Sequence, residues 1–461
     1  MRRRLAPFAN RVITTVDPGT VVKWNWHIDL ICEYLEALTF GELDERNLII
    51  NIAPRSLKSL IVSVAWPAWL LGLDPSERII TASGVASLAT EHSVFTRQVM
   101  RQQWYKHTFP NTVLADDQDE KKRFRTTASG HRIAFSVGEK GTLGEGGRIK
   151  ILDDPIDPNS TFSLKNIETT NRWLDLTWSS RSDDPARTKE VLVMQRLSVN
   201  DPTAHLLEQG GWHHLKVEQE ARERHTITFP RSGKIITREE GDLMHPERMD
   251  AEAVRFAKRR LGSYGFDSQH QQEPTAFGGN RIKLDWFGRY GATPSQFDRI
   301  IQSWDTANKG KDVNNKSALV VLGEREGQWY LLDVVTGNYT YPDLKRVSGT
   351  QYAKWRPNVL LIEDKGSGQQ LIQELKAETP YPVEGVEPEA DKVMRMEFEL
   401  PQLEAGVVSL PDPLKVDAPW LAEFEEQITQ YPAATEWDSL DAFSQALKWI
   451  RTKGESSVEL W

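Results

Sequence analysis

The sequence predicts two α/β domains, the first built on a mostly parallel sheet. Two observations carry this. Over roughly the first 200 residues, apolar runs such as "NLIINIA", "RIITAS", "RIAFSV", "RIKILDD" and "EVLVMQR" alternate with amphipathic segments, as in a sheet with helices packed on it. After an irregular stretch rich in His, Gly and Arg, a second α/β pattern begins. There "RIIQSWDTA" reads as a strand with Asp305 at its centre, and "SALVVLGEREGQWYLLDVVTG" as a hairpin turning at Glu324 to Gly327. "NVLLIEDKGSGQQLIQELK" reads as a strand, loop and helix, and "SLDAFSQALKWI" as a closing helix. The expected domains are 1–210, a linking subdomain over 211–298, and 299–461.

Composition narrows the class of protein. The 461 residues suffice for two or three cores. At 39% hydrophobic and 27% charged, the profile is that of a soluble globular chain. A net charge of −9 argues against a globally basic nucleic-acid coat, though not against a local basic groove. Cys32 is the single cysteine, so no intrachain disulfide is expected and a reducing compartment is. The longest apolar run, Leu60 to Leu73, is too short for a membrane span and contains Pro67. "MRRRLAPF" is basic but lacks the apolar core of a signal peptide.

The stretch "LIINIAPRSLKSLIVSVAWPAW" carries the first chemistry. A strand, a tight loop and a helix succeed one another, with Lys58 and Ser59 at the helix start, where a phosphate loop would lie. In the pattern G-x-x-x-x-G-K-[ST] the lysine reaches the β- and γ-phosphates and the hydroxyl reaches Mg2+. Both glycines are missing, with Ile52 and Leu57 in their places. About a hundred residues on, "RIKILDDP" is an apolar strand ending in two acids. Asp153 is placed to hold Mg2+ with Ser59, and Asp154 to orient or deprotonate the attacking water. A lysine capping a buried strand and an Asp-Pro turn are the plainer alternatives. The glycine-rich "SVGEKGTLGEGGR" just upstream could approach the γ-phosphate.

The second half carries carboxylates in the order Asp, Glu, Asp on an RNase H-like strand pattern. Asp305 lies on the first strand, Glu363 ends a later one, and Asp438 and Asp441 open a helix three residues apart, on one face. Such a set suits two divalent cations, Mg2+ or Mn2+, one activating water and the other stabilising the leaving 3′ oxygen. Acids at strand ends and helix starts also serve capping and solubility. Asp364, next to Glu363, should point to the other side of its strand.

Over nearly its whole length the chain resembles the large subunit of tailed-phage terminases. "WNWHIDLICEYLEAL" resembles the segment that holds the nucleotide base, and "APRSLKS" stands where many members have P-P-R-x-G-K-S. "ILDDP" resembles the family's Walker B strand, "VLVMQRLSVNDPTAHLLEQGGW" its coupling segment, and "RRLGSYGFDSQHQQEP" the stretch before the nuclease. "IEDKGSG" and "DSLDAF" resemble its metal-binding segments, although Glu436-Trp437-Asp438 replaces the His-Asp-Asp often found there. The resemblance implies a P-loop ATPase domain of the RecA/ASCE type followed by an RNase H-like nuclease. It implies ATP held by Arg55, Ser56, Lys58, Ser59, Asp153 and Gln195, with Gln195 and Arg196 coupling hydrolysis to movement. It implies nuclease metals on Asp305, Glu363, Asp438 and Asp441, Asp438 being favoured over Asp441 as the third ligand. The expected partners are double-stranded DNA, the small terminase subunit and the portal protein of the procapsid, with a homo-oligomeric ring during packaging, no membrane, and the host cytoplasm as location.

Leu57 is the main departure. Glycine at its position permits a positive φ, so a leucine is expected to keep an ordinary backbone there. Arg148, beside the Walker B strand, is the expected candidate for reaching a neighbouring subunit's ATP. "KKRFR" (Lys121 to Arg125) and "RFAKRR" (Arg255 to Arg260) are basic clusters that could touch phosphate or simply face water. Two other classes compete: a helicase-like or repair ATPase–nuclease, disfavoured because no second RecA-like half is found, and a non-catalytic DNA scaffold with degenerate sites, for which Leu57 argues.

Overall fold

The computed structural model describes residues 2–19, 21–139, 144–157, 164–275, 281–306, 316–387, 392–432 and 437–454. The chain forms two compact units, Met1–Ala276 and Phe277–Trp461.

The first unit is built on eight strands: β1 (Asn47–Ile52), β2 (Arg78–Ser83), β3 (Leu114–Asp119), β4 (Arg123–Thr126), β5 (His131–Ser136), β6 (Ile149–Asp153), β7 (Lys189–Met194) and β8 (Trp212–Val217). Their order is β3-β4-β5-β2-β6-β7-β1-β8. From β5 to β8 all neighbours are parallel, and only β3–β4 and β4–β5 run antiparallel. The central strands are apolar without alternation because helices cover both faces of a parallel sheet. β7 lies between β1 and β6, so the strand that precedes the Lys-Ser loop and the strand that ends in Asp153 are separated by one insert. β8, drawn from the segment expected to link, is the edge strand beside β1. The rest of that segment holds a hairpin, β9 (His225–Thr228) with β10 (Ile235–Arg238), and a helix, Ala251–Gln269, broken at Gly262.

The second unit carries β11 (Gly288–Tyr290), β12 (Arg299–Asp305), β13 (Ser317–Arg325), β14 (Gln328–Gly337), β15 (Val359–Glu363), β16 (Val383–Val386) and β17 (Val408–Pro411). The order is β11-β17-β14-β13-β12-β15-β16. β14, β13 and β12 form an antiparallel meander, and β15 and β16 continue from β12 in parallel. This is the RNase H-like arrangement. Asp305 closes β12 rather than standing at its centre. The β13–β14 turn is a two-residue loop at Glu326-Gly327 with φ of 54° and 80°, tighter than the sequence suggests. The helix Asp438–Gly454 closes the unit, and its Leu440, Phe443 and Leu447 pack into the same core as β12 and β13 residues. Among the described residues no helix is long and apolar enough to cross a membrane.

Candidate functional site

In the first unit, the nucleotide candidates converge at the C-terminal ends of β1, β6 and β7. The chain leaves β1, turns through Pro54 to Leu57 and enters a helix at Lys58. Lys58 Nζ donates to Asp154 Oδ1 at 2.8 Å and to Gln195 Oε1 at 2.7 Å. Ser59 Oγ donates to Asp153 Oδ1 at 2.9 Å. Lys58, Ser59, Asp153, Asp154 and Gln195 thus form one cluster. Ser56 is buried and donates its hydroxyl to the Ala53 carbonyl, whereas Arg55 is exposed on the loop.

The loop's backbone corrects the expectation for Leu57. Its φ is +63°, as is that of Arg55. A left-handed leucine is strained by about 1–3 kcal/mol. The side chain is partly buried against the main core of the unit, so it recovers a share of the ~1.5–3 kcal/mol that full burial of a leucine contributes. The leucine therefore keeps the glycine-like turn, held by its own packing. Left-handed Leu57 followed by helical Lys58 sets successive N–H groups to one side, an anion-binding concavity. Asp154 is also left-handed, with φ of 42°. Close by, Gly84 has no room for a side chain, since a Cβ there would stand 2.8 Å from the Pro155 carbonyl oxygen.

A second layer holds Asp153. Its Oδ2 accepts from Ser63 Oγ at 2.6 Å and lies 3.4 Å from His92 Nδ1. Ser63 stands one turn after Ser59, so both hydroxyls face the same carboxylate. Leu60–Ala65 is π-helical and runs into α-helix Trp66–Leu73. Pro67 cannot donate to the Ser63 carbonyl four residues earlier. Arg132, fully buried on β5, donates to it instead from a guanidinium nitrogen at 3.0 Å. Burial pushes the Arg132 guanidinium down to about 9, against the pull of Asp153. Burial likewise raises the Asp154 carboxyl above the usual range, although Lys58 opposes the shift. On the helix Trp26–Phe40, buried His27 bonds the Ser56 backbone, and burial, helped by nearby His245, lowers it to about 3.

Arg196 is locked on Asp201, 2.9 Å from its Oδ2, and its backbone N–H donates to Gln272. Arg148 does not stand beside Asp153. It precedes β6 at the strand's other end, where Nε donates to Glu77 at 2.8 Å. Of the glycine-rich loop upstream, residues 140–143 lie outside the described residues. In the basic clusters, Lys122 and Arg123 pair with Glu139 and Glu145, and Lys258 with Glu220, while Arg255, Arg259 and Arg260 are exposed.

In the second unit, Asp305, Asp438 and Asp441 each bring a carboxylate oxygen to within 4.8 Å of the others, and all offer the oxygen ligands that Mg2+ and Mn2+ take. Glu363, ending the neighbouring β15, shares a hydrogen bond with Asp305. Burial, that bond and the Asp305 charge push Glu363 up to about 8. Burial raises Asp441 to about 6. Asp441 is the deeper of the helix acids and Asp438 is half-buried. Gly368 has no room for a side chain, as a Cβ would meet the Glu363 carbonyl, so the helix Ser367–Glu378 can start against the strand end. Glu436 lies outside the described residues.

Two cations in this cluster are not evident from the sequence motifs. On the short helix Lys392–Glu397, Lys392 Nζ lies 3.4 Å from Asp305 Oδ2, 3.9 Å from Asp438 Oδ1, and in contact with Asp441. Arg395 reaches Glu363 at 3.7 Å and Asp441 at 3.8 Å. Their i,i+3 spacing is the one sequence signal that they share a face. Ser59 and Ser63 give a similar i,i+4 signal, but nothing local links His92 or Arg132 to Asp153.

These features define a chain with a P-loop unit and an RNase H-like unit. Residues 302–448 match the family described as Terminase RNaseH-like domain. No curated protein matches the chain. By structure, the chain is similar to the large terminase of a thermophilic bacteriophage, with TM-score 0.50 and 10% identity, covering 91% of this chain and 98% of that one. The ADP complex of the same phage protein gives TM-score 0.50 and 10% identity, covering 91% and 99%. The resemblance to terminase large subunits thus stands on the family match over residues 302–448 and on a fold similar to that of a large terminase over 91% of the chain.

Proposed function

We propose that the chain is the large subunit of a phage terminase, which drives double-stranded DNA into a procapsid with ATP and cuts it with a metal-dependent nuclease. One observation supports this above the rest: two separate acidic sites, each assembled from motifs far apart in sequence, within a single chain of large-terminase fold. Lys58 and the loop N–H groups bind phosphate, leaving Asp154 and Gln195 when they do so. Asp154 then orients or deprotonates water, and Gln195 reports the γ-phosphate to Arg196 and the segment beyond. Ser59 and Asp153 would hold Mg2+, and Asp305, Glu363, Asp438 and Asp441 the nuclease ions, which when bound lower the pKa of water and offset charge on phosphate. The ADP complex of the thermophilic phage terminase favours nucleotide at the first site. Partners in this reading are the small subunit, the portal protein and further copies of the chain in a ring.

DNA-stimulated ATP hydrolysis and Mn2+-dependent linearisation of supercoiled plasmid test the reading together. Both activities in the purified chain support it. Neither activity, across a range of salt, would leave the non-catalytic scaffold. Hydrolysis accompanied by strand separation would favour the helicase-like alternative.

A further inference from the structure

We propose that Lys392 is a tethered counter-cation of the nuclease cluster: it fills one cation place among Asp305, Asp438 and Asp441, so the DNA-free chain binds a single divalent ion there. The inference rests on the nuclease reading above and asks how many ions the resting site accepts. Its basis is the placement of Nζ. An ammonium has three N–H donors, and three carboxylates lie around it, at 3.4 Å, 3.9 Å and in direct contact. A compact ammonium on a flexible stem can stand where a small ion would, as a planar guanidinium cannot.

Charge points the same way. Asp305, Glu363, Asp438 and Asp441 carry at most four negative charges. Lys392 and Arg395 return two, which leaves enough for one divalent ion. The two cations differ in freedom. Arg395 is held between Glu363 and Asp441 with its side chain 14% exposed, whereas Lys392 is 48% exposed and anchored through the acids. Lys392 can therefore leave without disturbing the core, and a DNA phosphate is an anion that could draw it off. A second ion then enters with the substrate rather than before it. The resting chain carries an incomplete metal set, which guards DNA from cutting outside the packaging complex.

Titration of the full chain with Mn2+, without nucleotide or DNA and with free Mn2+ read by electron paramagnetic resonance, tests this. Lys392→Met should bind one more Mn2+ per chain than the parent, and the first ion about tenfold more tightly. Lys392→Arg cannot compact its charge into the same place and should fall between the two. Equal or weaker binding by Lys392→Met would overturn the inference, because a lysine serving only structure leaves metal affinity unchanged or lowers it. Asp305→Asn separates the two levels. If it weakens Mn2+ binding while Lys392→Met does not strengthen it, the nuclease reading stands and the counter-cation fails. If Asp305→Asn changes nothing in either background, the nuclease reading itself fails.

Discussion

The two units solve one problem in different ways. Each gathers carboxylates that repel one another, and each sets a lysine on them. In the first unit the lysine comes from the loop that follows β1. Lys58 is buried on Asp154 and Gln195, and its place is dictated by a backbone strained at Arg55, Leu57 and Asp154. In the second unit the lysine comes from a separate short helix and is half exposed. The first site is built by backbone, the second by side chains converging from β12, β15 and two helices. A phosphate must be met by aligned N–H groups, which only a fixed loop supplies. A metal ion needs only oxygen atoms at the right radius, which scattered side chains can supply.

That difference orders the consequences of breaking each site. The largest effect should follow Lys58→Ala. In the proposed function Lys58 is the cation that meets phosphate, so its loss should lower ATP hydrolysis by about 10²–10³-fold or more. Hydrolysis at the parent rate would show that the loop does not hold phosphate.

Smaller is the loss of the layer behind Asp153. Ser63→Ala and His92→Gln leave Asp153 and Ser59 in place but loosen the carboxylate. The Mg2+ needed for half-maximal hydrolysis should rise about tenfold, with nucleotide affinity in EDTA unchanged. Equal losses with and without Mg2+ would make these residues structural only.

Acid should distinguish the units more gently. All ten histidines lie in the first unit. Burial lowers His27 to about 3 and holds His214 and His270 at about 4, against about 6.5 in an unfolded chain. Below that value the unfolded chain binds the extra protons. The stability these groups contribute is therefore present above about pH 6.5 and lost as pH falls toward 4. Urea unfolding at pH 7 and pH 5 should show the loss, and His214→Gln with His270→Gln should flatten it. An unchanged slope would mean that these histidines are protonated in the folded state.

The smallest effect belongs to Leu57→Gly. Relief of the left-handed strain and loss of partial leucine packing oppose one another, so stability should change by no more than about 1–2 kcal/mol and hydrolysis should persist. Abolished hydrolysis would make the leucine side chain indispensable to the loop's shape.

Much of this architecture is legible because hydrophobic pattern and acidic strand ends go together. The Asp153-Asp154 pair after an apolar strand, Glu363 at the end of "VLLIE", and Asp438 and Asp441 at a helix start are readable locally, as is the α/β character of both halves. What escapes depends on distant or backbone geometry. No local pattern shows that Leu57 takes a positive φ, or that Pro67 frees a carbonyl for Arg132. Arg148 is close to Asp153 in sequence but lies at the other end of a strand, where proximity along the chain misleads. Lys392 and Arg395 belong to no motif, and only the fold places them on the acids.

In the proposed function one chain carries two independent chemistries. Lys58→Ala and Asp305→Asn, each assayed for ATP hydrolysis and for Mn2+-dependent DNA cutting in the same preparation, test it most directly. Lys58→Ala should lose hydrolysis and keep cutting, while Asp305→Asn, which preserves shape but removes one charge, should lose cutting and keep hydrolysis. Loss of both activities in either variant, or of neither in both, would contradict the account.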